Sequence, residues 1–333
     1  VRLSPGDLEN PDPGTSFITD KVVAPVRLAN GKVENVTWYQ FRVPLTKFES
    51  RVGEIQDFRA IRFMRAFLTG FSDTVTLRFA RLQLVRGEWR RYNAENNPAK
   101  ALTDPALNNP GLDNSILDVT TVNIEENGTR SPIPYVVPPG ILRERDNSNI
   151  RRVTQQNEQS LAVVVRNLRD GYSRAAFKTT VNDVRSYKRL KLFVHAEGDQ
   201  LRDGDIYAFV RLGIDNQDNY YEYEIPTKVT LPGAKDPNLI WPEENLIDIE
   251  FRLFQLAKTS RNSALLNGQP WPINLPFTFV EGNQRITIKG QPDLSKLRIL
   301  MLGARNPLRN NALPAGDDGL EKTVELWFNE MRL

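Results

Sequence analysis

The chain has no cysteine among its 333 residues and a single histidine. The first absence removes disulfides, thiolate metal sites and cysteine nucleophiles. The second leaves His195 as the sole imidazole base. Secreted chains need no disulfides, so the compartment stays open. No apolar run reaches the roughly 18 residues a membrane helix requires. No basic-then-apolar leader follows Val1, which points to a mature form or a piece of something longer. Charge of one sign is also lacking: 44 basic against 41 acidic side chains give +3, so the chain as a whole is not built to hold nucleic acid. No glycine-rich phosphate loop follows a strand.

Turn formers and short alternating segments are plentiful, with 20 glycines, 22 prolines and 9% aromatic residues. Val1 to Thr19 reads as an irregular lead-in. Lys21–Leu28 and Val33–Val43 flank Asn30-Gly31, a strong hairpin signal. Ala60–Phe67 and Val75–Leu84 read as further strands. Three blocks recur in the same order: Trp38–Pro44 with Tyr220–Pro226, Ala60–Ala66 with Lys296–Leu302, and Thr74–Phe79 with Thr323–Phe328. One sheet-forming unit used twice is the implication. In both copies the apolar phase slips after the last block, predicting a bulge near Ala80-Arg81 and another near Asn329-Glu330.

Further strands are expected at Ile116–Glu125, Leu161–Val165, Arg174–Lys178, Arg189–Glu197, Asp205–Leu212, Tyr220–Ile225, Arg285–Lys289, Leu297–Leu302 and Thr323–Leu333. Ile249, Leu253 and Leu256 share a helical face, so Ile247–Lys258 is expected to be a short helix. The fold expected is all-β: two jelly-roll-like antiparallel β-sandwich units, the first incomplete, joined by a Pro-rich connector. Residues 1–92 would be the partial unit, 93–152 a linker with one strand, and 153–333 the complete unit. Pro132, Pro134, Pro138 and Pro139 would hold Ser131–Gly140 extended within that linker.

Side chains that could carry chemistry are scattered. His195 lies in a strand without a nucleophile motif, and reads as a base or a sheet-face histidine. Glu125-Glu126 and Glu243-Glu244 are adjacent, so strand geometry would aim each pair apart. Asp203-Gly204-Asp205, Asp215–Asn219 and Asp317-Asp318-Gly319 offer oxygen ligands, yet none fits a twelve-residue calcium loop. Asx turns account for them as well. Trp89, Tyr92, Trp241 and Trp271 would make either a sugar platform or core. Residues 42–91 hold 11 basic and 5 acidic side chains, among them Arg59, Arg62 and Arg65. Spacing by three denies those arginines a common strand face. No catalytic, cofactor or metal residue is assigned, and no enzyme is expected.

Several long words carry a family resemblance. They are Trp38–Pro44, Arg51–Arg65, Leu84–Tyr92, Val122–Gly128, Pro138–Ile141, Asn219–Pro226 and Trp241–Asn245. Together they resemble the SprA/Sov family, the outer-membrane translocon of the type IX secretion system, also needed for gliding motility. The resemblance implies protein export without catalysis. Implied partners are the remainder of the translocon chain and its β-barrel, smaller outer-membrane secretion components, and secreted cargo. At this length the chain would be a soluble portion at the outer membrane, on the periplasmic or the cell-surface side. The rival reading is a carbohydrate-binding jelly-roll module.

Overall fold

The computed structural model describes residues 17–27, 30–41, 43, 45, 50, 52, 64–67, 69–71, 73–74, 76–80, 82, 89–94, 97–143, 145–146, 154–155, 157–311, 317–329 and 331–333. Two units divide the chain, Val1–Arg86 and Gly87–Leu333.

In the first unit, β1 (Ile18–Arg27) and β2 (Val33–Phe41) form the hairpin expected around Asn30-Gly31. Gly31 takes φ 81°, and the Asn30 side chain accepts a hydrogen bond from the Lys32 amide at 3.0 Å. Both features suit a residue pair that tolerates positive φ. The two other segments expected to be strands differ: 64–67 and 76–80 carry no strand pairing. Residues 60–63, 75 and 81 lie outside the described residues, and the first expected bulge lies there in part.

The second unit opens with β3 (Arg90–Arg91), β4 (Leu102–Thr103) and β5 (Ile116–Asn123). A short hairpin of β6 (Arg145–Asp146) and β7 (Thr154–Gln155) follows. Then come β8 (Gln159–Leu168), β9 (Tyr172–Asn182), β10 (Arg189–Leu192), β11 (Val194–Glu197), β12 (Tyr207–Gly213) and β13 (Tyr220–Pro226). After β14 (Ile247–Glu250), the hairpin β15 (Leu265–Leu266) and β16 (Gln269–Pro270) leads to β17 (Phe277–Glu281), β18 (Gln284–Lys289), β19 (Leu297–Arg305) and β20 (Lys322–Phe328). The helices are α1 (Ile124–Asn127), α2 (Pro237–Ile240) and α3 (Phe251–Ser263).

Every paired strand runs antiparallel. One sheet has the order β17-β18-β13-β12-β19-β9-β3, with β4 also on β9. The other runs β11-β20-β8-β5, and β10 pairs with β14 beside it. Alternating side chains such as Val163, Val165, Ala208, Val210, Tyr221, Tyr223, Leu300 and Leu302 fill the space between the sheets. Phe251, Leu253, Phe254 and Ala257 of α3 join that core, with Phe254 stacked on Tyr221 at 4.7 Å. The all-β sandwich expected from the sequence is therefore present in this unit.

Three expectations need correction. The helix does not begin at Ile247: Ile247 and Ile249 are buried strand residues, while Asp248 and Glu250 pair outward with Arg189 and Lys191. Period-two burial overrides the helical spacing until Phe251. Of residues 93–152, read as a linker with one strand, the described stretch 97–143 belongs to the second unit. Leu117 joins the inter-sheet core, and β5 pairs with β8 along its whole length. Nor is Ser131–Gly140 only a semi-rigid connector: Ile133 and Tyr135 are each 1% exposed against the outer face of the four-stranded sheet.

Glu330, in the second expected bulge, lies outside the described residues, but the pairing on either side of it requires the extra residue. Phe328 pairs with Val194 and Arg332 with Lys191, so the final segment spends one more residue than its partner over the same distance. Met331 thereby returns to the core. Among the described residues, no helix is long and apolar enough to cross a membrane.

Candidate functional site

The alternating word Tyr220-Tyr221-Glu222-Tyr223-Glu224 places Tyr221 and Tyr223 in the core and aims Tyr220, Glu222 and Glu224 at the opposite face of the large sheet. There the two glutamates meet arginines from neighbouring strands. Arg285 reaches Asp104 at 2.8 Å and Glu224 at 2.9 Å. Arg305 reaches Glu224 at 3.0 Å and Glu222 at 2.7 Å. Arg211 reaches the other oxygen of Glu222 at 2.7 Å and the Asn216 carbonyl at 2.7 Å. Three guanidiniums thus alternate with three carboxylates, and no member is more than 3% exposed.

Aromatic faces complete the ladder, with Arg211 3.8 Å from the Tyr220 ring centroid and Arg285 5.5 Å from that of Tyr207. Burial pushes the Glu222 carboxyl up, but Arg211 and Arg305 outweigh it and hold the group below its usual range. For Glu224 burial wins, lifting it to about 7 against the pull of Arg305 and Arg285. The difference arises because Glu224 faces two carboxylates, Glu222 and Asp104, across the same guanidiniums. Each cation is spent on a fixed protein anion, so the ladder welds strands together and offers no reacting group.

A second cluster lies on the outer face of the small sheet. His195, the residue considered as a base, is 0% exposed and stacked on Trp327 at 3.9 Å. Its Nδ1 donates to the Ile240 carbonyl at 2.8 Å, which fixes the tautomer. Burial drives the imidazole down to about 3, and it stays neutral. Trp241 donates from Nε1 to the Val136 carbonyl at 2.8 Å, and Tyr135 donates to Glu158 at 2.6 Å. At the rim Arg130 spans Glu197 at 2.6 Å and Glu325 at 2.8 Å. Burial and the neighbouring Glu325 raise Glu197 to about 7 in spite of Arg130.

The remaining sequence candidates find structural partners. Asn123 caps α1, accepting from the Glu126 amide at 2.9 Å while its amide donates to the Glu126 carboxylate at 3.1 Å. Glu244 pairs with Lys228 at 2.6 Å. Asn245 is fully buried and exchanges two hydrogen bonds with the backbone of Lys228. Asp205 and Asp318, from two separate loops, converge on Lys322 at 2.9 and 2.8 Å. Asp215 accepts from the amides of Gln217, Asp218 and Asn219, an Asx turn. No cluster of three or more His, Asp or Glu able to hold a metal ion occurs among the described residues.

Nor does the aromatic platform assemble. Tyr92 packs with Phe209 and Met301 on the large sheet, whereas Trp241 is sealed on the small one. Trp89 lies under Lys178 at 5.2 Å, and Trp271 packs edge-on against Phe277 at 5.3 Å. Of the three spaced arginines, Arg59 and Arg62 lie outside the described residues, and Arg65 sits 5.7 Å over the Phe67 ring. Sequence reasoning missed Arg211, Arg285, Arg305 and Asp104. The only available signal was the placement of the three arginines in strands at positions alternate to core residues.

Comparison with known proteins supplies the remaining evidence. The sequence profile of the SprA_N family, described as motility related/secretion protein, matches residues 1–333. No curated protein matches. Among solved structures, a family 11 carbohydrate-binding module of the cellulosomal cellulase Lic26A-Cel5E of Clostridium thermocellum is similar at 11% identity. The likeness covers 69% of this chain and 91% of that one with a TM-score of 0.26, a superposition too loose to carry ligand chemistry across.

Proposed function

Because the chain belongs to the SprA_N family of motility-related secretion proteins, we propose that it is a non-catalytic structural and docking portion of an outer-membrane translocon that exports proteins and supports gliding. The family match across all 333 residues carries this reading. The chemistry of the buried groups supports it. The charge ladder is internally neutralised, and His195 is held neutral with its Nδ1 hydrogen committed. Such internal pairing builds a rigid body whose outside is free to bind. Its partners on this reading are the remainder of the translocon chain with its β-barrel, smaller outer-membrane components, and cargo.

The test is genetic. An in-frame deletion of the segment encoding these residues, in a host with type IX secretion, should leave cargo inside the cell and abolish gliding. Normal export from the deleted strain would sink the proposal.

A further inference from the structure

One end of the sandwich differs from the rest of the second unit. A small, largely apolar notch opens there, lined by Thr180, Val184, Leu190, Leu297, Met331 and Leu333 among others. Apolar side chains stand out beside it: Val181 is 87% exposed and Tyr187 44%. Basic residues interleave with several of the lining residues in sequence. Arg298 lies between Leu297 and Ile299, Arg332 between Met331 and Leu333, and Lys188 two residues before Leu190. Backbone bonds hold these ends together: Val184 donates to the Leu294 carbonyl, Lys191 to that of Arg332, and Phe251 to that of Lys188.

Charge bookkeeping at this end leaves a surplus. Asp183 is spent on Arg185 at 2.7 Å, Asp248 on Lys191 at 3.3 Å, and Glu250 on Arg189 at 2.5 Å. Asp293 accepts from both the amide and the hydroxyl of Ser295 and stands 4.0 Å from Lys296. Among the described residues, Lys188, Arg298 and Arg332 are exposed and make no ion pair. A positive field thus surrounds exposed apolar side chains.

We propose that this end docks an extended acidic segment of a partner protein, one in which carboxylates alternate with apolar side chains. The carboxylates meet Lys188, Arg298 and Arg332, and the apolar side chains rest on Val181 and Tyr187. Charge complementarity selects the sign of the partner. An anionic bilayer fits less well, because a flat surface would press Asp183, Asp248, Glu250 and Asp293 against its headgroups. A single chain can run between them. The inference rests on the docking reading and narrows it to one surface and one partner chemistry.

The experiment is fluorescence anisotropy with the whole chain and a labelled peptide alternating glutamate and leucine. Its lysine-for-glutamate counterpart and mixed phosphatidylglycerol–phosphatidylcholine vesicles serve as the other arms. Binding of the acidic peptide, weakened by added salt, is expected. The exposed triple variant Lys188→Ala/Arg298→Ala/Arg332→Ala should weaken it by about tenfold or more. Val181→Asp should weaken it as well, with the circular dichroism of every variant unchanged. Equal binding of both peptides, undiminished binding by the triple variant, or preference for the vesicles would each overturn the proposal. These failures would leave the deletion phenotype untouched, so the broader reading is judged separately.

Discussion

At the residue scale, the buried titratable groups make opposite demands on pH. His195 falls from its ordinary 6.5 to about 3 in the folded chain. Between those values the unfolded chain binds a proton that the folded one refuses. Stability from this group is therefore complete above pH 6.5 and is lost as pH falls, by about 1.4 kcal/mol per unit. Glu197 and Glu224 run the other way. Their folded values near 7 lie above the ordinary 4.5, so the stability they add at low pH is lost as pH rises from about 4.5 to about 7. Denaturant titrations of wild type and His195→Asn should separate the two. The stability difference between these proteins should shrink steadily as pH drops from 6.5 to 4.5, and a constant difference would mean that His195 titrates normally. The ladder makes its own prediction. Arg305→Met leaves Glu222 and Glu224 each short of a partner in a dry site, and should cost about 3–5 kcal/mol by chemical denaturation. Adding Glu224→Gln, which leaves the pairs Arg211–Glu222 and Arg285–Asp104, should recover part of that loss. None of this was legible in Tyr220–Pro226, where alternating glutamates read like any wet sheet face. The arginines that dry that face come from β12, β18 and β19, as much as 83 residues away.

At the element scale, strands and turns followed from period-two alternation, and misreadings arose where two periods competed or where chain lacked a period. Ile249, Leu253 and Leu256 satisfy a helical spacing, yet the first belongs to a strand paired with β10 and the others to α3. Pro-rich chain such as Ser131–Gly140 has no periodicity to read. Its burial depends on Trp241, Trp327 and Tyr135 meeting from three distant segments, with ring centroids 5.6–6.1 Å apart. The bulge near Asn329 was legible because the parity slip is local and must be absorbed there. The covering segment should come loose as a unit. Trp241→Ala removes a side chain that is 1% exposed, and should cost about 3–5 kcal/mol. Hydrogen exchange should then accelerate at the Tyr135 and Gly233 amides, bonded to Asn127 and Pro132, while β12 keeps its protection. Uniform acceleration across both sheets would show that the segment has no independent opening.

At the scale of the whole molecule, the described members of all three apolar clusters come from residues 89 onward. Hydrophobic stabilisation follows the apolar area removed from water, so the second unit carries its own driving force. The hairpin β1–β2 is a two-stranded ribbon, and such ribbons are marginal in water without further cover. Its Val23 and Val33 are 59% and 65% exposed. These contrasts argue for unequal autonomy. A chain beginning at Gly87 and ending at Leu333 should fold alone, melt in one cooperative transition, and keep the near-ultraviolet dichroism that Trp241 and Trp327 owe to their fixed packing. Residues 1–86 made alone should show neither property. A collapsed, non-cooperative 87–333 fragment would mean that the amino-terminal residues complete its core, and the division at Arg86 would then mark no boundary in stability.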